Sequence, residues 1–226
     1  FFEWLSDKWI EIFGAVAGIV YVVLEIRQNI WLWPVGIVTS AVYIWVFFTN
    51  RFYADMTLQG YYLVISCAGW YWWMKGPGEK KNEEGETEGK KDEETEGLKV
   101  TRLRLTMGIV LGVVFVALYL FMWFFLSRMT DSPVPEWDSF ITSLSVIATW
   151  MLARKIYEHW FLWIVVNTAS VILFINRGLY PTVILYLVYG IMSFAGLMAW
   201  KKSLTGYSRI SQDQESSGLY SSRKAG

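Results

Sequence analysis

Residues 160–202 read "WFLWIVVNTASVILFINRGLYPTVILYLVYGIMSFAGLMAWKK", and residues 33–75 repeat much of that pattern 127 positions earlier. Twelve of the 43 aligned positions are identical, and no gap is needed. The shared residues are aromatic and small anchors in a fixed order, among them the pairs Trp33/Trp160, Tyr62/Tyr189, Gly69/Gly196 and Trp73/Trp200. This internal similarity predicts two related helical units.

The composition places these units in a membrane. The chain has 226 residues, is 54% hydrophobic and contains 14 Trp, 13 Tyr and 14 Phe, more than one soluble core needs. Seven segments have about the apolar length that crosses a bilayer, which is roughly 17–25 residues. They are 9–26, 30–48, 56–74, 105–126, 137–154, 160–175 and 183–200. We therefore predict an all-α membrane protein with seven transmembrane helices.

The order of the spans predicts an arrangement of three, one and three helices. A unit of three spans ends on the membrane face opposite its start, so one intervening helix is needed before a second unit can run parallel to the first. Such parallel repeats occur in transporters whose site lies between the repeats. The expected parts are a first repeat (1–75), a charged linker (76–104), a connecting transmembrane helix (105–130), a second repeat (131–202) and a frayed tail (203–226).

The distribution of Lys and Arg predicts the orientation. With seven spans, one side of the membrane receives four of these residues and the other receives sixteen, most of them in the linker and the tail. Cytoplasmic loops carry the excess of positive charge. We expect the N-terminus outside and both the linker and the C-terminus in the cytoplasm. The chain begins at Phe1, so we expect it to be a piece of a longer one, and residues 9–26 lack a cleavage site for a signal peptidase.

Catalytic and metal-binding chemistry is not indicated by the sequence. No His, Cys and carboxylate cluster has metal-ligand spacing, and no nucleophile has a base beside it. Glu25 lies near a cytoplasmic helix end, where we expect it to snorkel or pair, and His159 lies at the turn between the fifth and sixth spans, where we expect an interfacial polar role. We expect no enzyme activity, no cofactor and no nucleic-acid partner.

One helix face in the second unit is unusual for a membrane span. Trp160, Trp163 and Asn167 follow the i, i+3, i+7 pattern and share one face. A belt of interfacial aromatic residues would explain Trp160 but not the two deeper residues. The aligned face of the first unit carries Trp33 and Ser40. Because Trp163 and Asn167 align with Gly36 and Ser40, we expect an asymmetric cavity that fits a flat aromatic ligand with a hydrogen-bonding edge.

The third span of each unit offers further candidates. Asp55 either caps the N-terminus of its helix or contributes to a site. Gln59 lies one turn deeper on the same face, where an amide is costly in lipid. Tyr62 continues this face, and Tyr189 is its counterpart in the second unit.

These motifs resemble the PnuC family of bacterial vitamin-precursor transporters. The resemblance rests on WP-x-GI at 33–37, YAD-x-x-LQ at 53–59, W-x-x-W-x-x-x-N at 160–167 and G-x-x-x-W at 196–200. It implies a fold like that of the SWEET sugar carriers, a homotrimer in the bacterial plasma membrane, and facilitated diffusion of nicotinamide riboside with trapping by intracellular phosphorylation. It also implies that Trp160, Trp163 and Asn167 bind the substrate. The alternatives are a carrier of the same fold for another vitamin precursor such as thiamine, and a membrane-embedded enzyme or receptor.

Overall fold

The computed structural model describes residues 2–49, 53–75, 98–129 and 133–224. Seven helices occupy these ranges: α1 (Phe2–Ile26), α2 (Leu32–Thr49), α3 (Tyr53–Lys75), α4 (Leu105–Met129), α5 (Pro135–Ala153), α6 (His159–Asn176) and α7 (Tyr180–Lys224). Each predicted span falls on one of them. A helix satisfies its own backbone hydrogen bonds, which is what a segment in hydrocarbon requires.

Four of the described helices are long and apolar enough to cross a membrane: α2, α4, α6 and residues Tyr180–Thr205 of α7. The apolar part of α1 is shorter, Ile12–Ile26, and α3 and α5 do not reach the same apolarity. Helix α5 carries four buried hydroxyl residues, Ser139, Ser143, Ser145 and Thr149. Polar side chains at membrane depth face the interior of a bundle or a cavity, so we expect α1, α3 and α5 to be shielded by their neighbours.

One expectation about the polar segments is wrong. The tail does not fray at residue 203, because α7 continues as a helix to Lys224. Once a helix is anchored by packing, each further residue adds one hydrogen bond without a new nucleation step. Residues 76–97 of the linker lie outside the described ranges, and at its end Thr101 forms a parallel bridge with Ile156. The N–H of Leu103 also donates to Glu158 Oε2 over 2.8 Å.

The helix contacts are the same in both halves of the chain. Helix α2 packs on α1 and α3, and correspondingly α6 packs on α5 and α7. The halves meet through α1 against α7 and through α3 against α5. If α1, α2 and α3 are exchanged with α5, α6 and α7, the same pairs of helices remain in contact. Among the described residues α4 contacts only α5, and it buries no residue.

Tryptophan packing follows the same correspondence. Trp33 is fully buried with its indole against Gly69 and edge-on to Trp73, the ring centres 5.4 Å apart. In the second half the indole of Trp160 lies against Gly196 and edge-on to Trp200 at 5.9 Å. Both glycines are needed, because a Cβ there would overlap the indole ring.

The turns that end α1 and α5 also match. Gln28 and Lys155, 127 residues apart, both have a positive φ, 53° and 50°. The N–H of Gln28 donates to Glu25 O and that of Lys155 to Leu152 O, at 3.0 and 2.9 Å. These are the bonds of a Schellman helix end. Lys155 is mostly buried, with its ammonium 4.2 Å from the centre of the Trp73 ring, and burial lowers its pKa from 10.5 to about 8.

Candidate substrate cavity

A cavity of about 340 Å³ lies between the two halves of the chain, and we call it the central cavity. Small-molecule sites have volumes of about 300–1,000 Å³. Its wall takes residues from α1, α2, α3, α5, α6 and α7, and none of the described residues of α4. The aromatic members are Tyr21, Tyr43, Tyr62, Trp160, Trp163, Tyr186 and Tyr189. The uncharged hydrogen-bonding members are Thr39, Ser40, Gln59, Ser66, Ser145, Thr149, Asn167 and Ser193.

Seven of the nine candidate residues from the sequence line this cavity: Ser40, Gln59, Tyr62, Trp160, Trp163, Asn167 and Tyr189. They come from α2, α3, α6 and α7. Each of these helices had contributed a polar or aromatic stripe to the prediction, and the fold brings the four stripes together around one cavity.

The other two candidates lie elsewhere. Trp33 does not line the cavity, because its ring is fully buried in the contact with Gly69 and Trp73. Asp55 is exposed and lies in the first turn of α3, which begins at Tyr53. It is therefore not the residue that precedes the helix, as an N-cap must be, although a carboxylate in the first turn is still favoured by the helix dipole.

The expected difference between the two sides of the cavity is present in the wall. Gly36 and Ser40 lie on the α2 side, and the aligned residues Trp163 and Asn167 lie on the α6 side. Gly36 is closely covered, because a Cβ added there would lie 2.9 Å from Ser66 Oγ. At these two aligned positions the larger side chains therefore lie on the α6 side and the smaller ones on the α2 side.

Four hydroxyl groups of the cavity wall donate to the backbone of their own helices. Thr39, Ser145 and Thr149 each donate to a carbonyl four residues earlier in their own helix, at 2.8 Å. Ser193 does the same with Tyr189 O and accepts from Asn167 Nδ2 at 3.1 Å. A hydroxyl that has given away its proton can still accept. Such a wall favours ligand groups that donate, such as a carboxamide NH₂ or sugar hydroxyls.

The indole N–H groups of Trp160 and Trp163 are buried and donate to no described residue. Buried donors are nearly always paired. Trp160 is 1% exposed and wedged against Gly196, so it is mainly a packing residue, whereas Trp163 is only partly buried. Trp163 is thus the better placed of the two rings to contact a ligand.

Helix α1 forms part of the wall, which the sequence reasoning missed. It contributes Gly14, Gly18, Tyr21 and Glu25. The hydroxyls of Tyr43 and Tyr189 occupy the places where Cβ atoms at Gly14 and Gly18 would be. The G-x-x-x-G spacing of these glycines is a known signal for close helix contact in membranes, and it could have pointed to α1.

Glu25 and His159 form a buried pair at one end of the cavity. His159 is fully buried, and its Nε2 lies 3.0 Å from Glu25 Oε1. His159 Nδ1 donates to Ile156 O at 2.7 Å, and the indole of Trp200 donates to Glu25 O at 3.0 Å. His159 lies at the start of α6, at the turn where the sequence placed it, and its side chain is buried and paired. Pairing across 134 residues of sequence cannot be deduced from either segment alone.

The charge of the cavity lining comes from one acidic residue. Glu25 is the one charged residue type in the described wall, and no Lys or Arg is present there. Within the described residues no group of three or more His, Cys, Asp or Glu could hold a metal ion. The cavity can stack aromatic rings, receive donors and attract positive charge, and it offers nothing to neutralise an anion.

A family model described as "Nicotinamide mononucleotide transporter" matches residues 8–202. This match covers most of the chain. The chain belongs to this transporter family. Membership implies a membrane protein with several spanning helices, and a role in transport rather than catalysis.

Curated relatives of the transporter family differ in the substrates that their names state. The nicotinamide riboside transporter PnuC of Escherichia coli K12 is 25% identical over 220 residues, 87% of this chain and 86% of its own. PnuC of Neisseria mucosa is 25% identical over 214 residues, 92% of this chain and 77% of its own. The riboflavin/roseoflavin transporter RibM of Streptomyces davaonensis is 25% identical over 203 residues, which are 85% of this chain and 84% of RibM.

A solved structure of the family has the same fold. The crystal structure of the vitamin B3 transporter PnuC superimposes with a TM-score of 0.66 at 23% identity, covering 90% of this chain and 85% of that one. Agreement over nine-tenths of the chain supports the helix arrangement described above.

Proposed function

We propose that this protein carries nicotinamide riboside across the bacterial plasma membrane by facilitated diffusion, and that phosphorylation inside the cell traps it. The observation that carries the proposal is the lining of the central cavity, where Trp163 and Asn167 face small residues and no basic side chain is present among the described residues. The names of the PnuC relatives agree with this substrate.

The ligand matches the wall group by group. Nicotinamide riboside has a planar, positively charged ring with a carboxamide, joined to a ribose. Tryptophan and tyrosine faces attract a cationic ring through cation–π and stacking interactions. The hydroxyls of Thr39, Ser145 and Thr149, which donate their own protons to backbone carbonyls, can receive the carboxamide NH₂ and ribose hydroxyls, and Asn167 can both donate and accept.

A phosphorylated form of the ligand fits this cavity poorly. A phosphate dianion would enter a wall whose described residues include no Lys or Arg and one carboxylate. Burying an unpaired charge costs several kcal/mol. We therefore propose that the riboside, rather than the mononucleotide named in the family description, is the substrate, and that its phosphorylation prevents its return.

The architecture that we propose is seven spans in a SWEET-like arrangement of three, one and three helices with parallel repeats. The symmetric helix contacts and the matching Trp–Gly pairs support it. We further propose an outside N-terminus, a cytoplasmic C-terminus and a homotrimer. The count of Lys and Arg supports the orientation, and the resemblance to PnuC supports the trimer.

A second candidate is a carrier of another vitamin on the same scaffold. The similarity to RibM favours riboflavin over the thiamine that the sequence had suggested. A flavin is also flat and carries a hydrogen-bonding edge, but it is neutral and larger.

Calorimetric titration of the purified protein distinguishes these candidates. The ligands are nicotinamide riboside, nicotinamide mononucleotide, thiamine and riboflavin, each added to the same detergent-solubilised preparation. We expect the riboside to bind at least about tenfold more tightly than the others, a difference of about 1.4 kcal/mol. Tighter binding of riboflavin or thiamine would replace the proposed substrate, and tighter binding of the mononucleotide would refute the phosphate argument.

A further inference from the structure

We propose that Glu25, oriented by His159, is the residue that selects a positively charged ligand in the central cavity. This inference rests on the proposed function and adds a specificity determinant to it. It concerns a carboxylate that is buried, lines the cavity and is bonded to a histidine that lies outside the lining.

The hydrogen bonds of His159 fix where its protons lie. Ile156 O can only accept, so His159 Nδ1 carries a proton. The remaining contact, between Nε2 and Glu25 Oε1 at 3.0 Å, then needs one more proton. With that proton on Nε2 the pair is an imidazolium and a carboxylate, and with it on Glu25 both groups are neutral. Without that proton, a lone pair of Nε2 would face a carboxylate oxygen at 3.0 Å.

The pair is oriented with its carboxylate toward the cavity and its imidazole away from it. Glu25 lines the cavity, whereas His159 is fully buried between the rings of Trp160 and Trp200, each 4.7 Å away between centres. The imidazolium form therefore turns its negative end toward the ligand. A cation in the cavity favours that form, and a neutral ligand does not.

The backbone holds the carboxylate in this place. Glu25 lies in the last turn of α1, and the indole of Trp200 from α7 donates to its carbonyl. The carboxylate is thus attached to the contact between the two halves of the chain. It shares the cavity wall with Trp160, which precedes Trp163 by one helical turn. A ring stacked on Trp163 would bring its charge close to Glu25.

Charge selection distinguishes ligands of nearly the same shape. Nicotinamide riboside has a pyridinium ring, while its 1,4-dihydro form keeps the carboxamide and ribose without the charge. The neutral flavin named for RibM would gain nothing from such a carboxylate. We therefore expect the wild-type protein to prefer the cationic riboside, and Glu25 to account for this preference.

The experiment measures the dissociation constants of the riboside and its dihydro form by calorimetry for the wild type, Glu25→Gln and Glu158→Gln. The amide in Glu25→Gln keeps the shape of the carboxylate and can donate to neutral His159. Glu158 is the matched control, a carboxylate at the start of α6 that binds Leu103 N and does not line the cavity. Glu25→Gln should weaken riboside binding about tenfold or more, as expected for a charge pair shielded from bulk water, and change dihydro binding less than about twofold. Glu158→Gln should leave both dissociation constants unchanged.

Each outcome bears on the inference. Unchanged riboside binding by Glu25→Gln, or an equal loss for both ligands, would overturn charge selection while the proposed function stands. A wild type that binds no riboside would overturn the proposed function as well. If Glu25→Gln does not fold, the dissociation constants of the wild type are measured for N-methylnicotinamide, which is a cation, and for nicotinamide, which is neutral. Equal affinity for these two ligands would overturn the inference.

Discussion

Trp163 and Asn167 were singled out by their spacing on one helix, and both line the central cavity. The first prediction concerns Trp163→Ala. Stacking of a base on an aromatic side chain is worth about 1–3 kcal/mol, so the change should weaken riboside binding roughly 10- to 100-fold in a calorimetric titration. Phe161→Ala is the control, because Phe161 is exposed on the same helix, and it should leave binding unchanged. Equal affinity for wild type and Trp163→Ala would remove Trp163 from the site.

Asn167 has two possible tasks, because it also links α6 to α7 through Ser193. The second prediction compares Asn167→Leu with Ser193→Ala, both of which remove that link. An interhelical hydrogen bond in a membrane protein is worth about 0.6 kcal/mol, so both variants should melt slightly earlier. Asn167→Leu should also weaken riboside binding about tenfold, while Ser193→Ala should not. If both variants lose only stability, Asn167 is a packing residue.

Lys155 provides the third prediction, which concerns pH. Burial lowers its pKa to about 8 in the folded protein, against about 10.4 in an unfolded chain. Between these values the unfolded state binds more protons than the folded state, so stability rises with pH across this window. The melting temperature in detergent should therefore rise more from pH 8 to about pH 10 in the wild type than in Lys155→Met. Parallel pH profiles would contradict the burial of a charged Lys155.

At the scale of helices, the contact between a tryptophan and a glycine occurs once in each half. The fourth prediction is that Gly69→Ala and Gly196→Ala each lower stability, by about 1–3 kcal/mol, because a Cβ would overlap an indole ring. The loss should appear as a lower melting temperature in both variants. Gly60→Ala in α3 is the control: nothing lies within 4 Å of a Cβ there, so it should be neutral or stabilising. A melting temperature unchanged by either of the first two substitutions would contradict the described packing.

Helix positions could be predicted from the sequence because apolar length is a local property, and the seven spans fall on α1–α7. The stripes of α2, α3, α6 and α7 were also local, since a polar residue in an apolar helix stands out. The sequence did not show which helix packs against each of these polar faces. Tyr21 and Glu25 of α1 and the hydroxyls of α5 join the cavity only through contacts between distant segments.

Trp33 was predicted to line the site, and it does not. Its alignment with Trp160 suggested a shared role in binding, and the two residues do share a role, which is packing on a glycine. The continuation of α7 to Lys224 was missed for a different reason: Ser and Gly lower helix propensity, but they do not end a helix that is anchored by its packed part.

At the scale of the whole molecule, the arrangement favours equilibration over ion-driven accumulation. The buried carboxylate of the described cavity wall is already paired with His159. Coupled carriers use ionisable groups that exchange ions during transport. The fifth prediction is that liposomes containing the protein fill with riboside to the external concentration and no further, with or without a proton or sodium gradient. Accumulation above the external concentration driven by either gradient would contradict this prediction.

Carriage of the riboside through the central cavity can be tested by counterflow in liposomes that contain the purified protein and no kinase. The liposomes are loaded with unlabelled nicotinamide riboside and diluted into a trace of labelled riboside. We expect a transient overshoot of label inside, because a carrier exchanges one riboside for another across the membrane. We expect no overshoot when the liposomes are loaded with nicotinamide mononucleotide, since the described cavity wall has no base to pair with a phosphate. No overshoot with riboside, or an equal overshoot with the mononucleotide, would contradict the proposed transport.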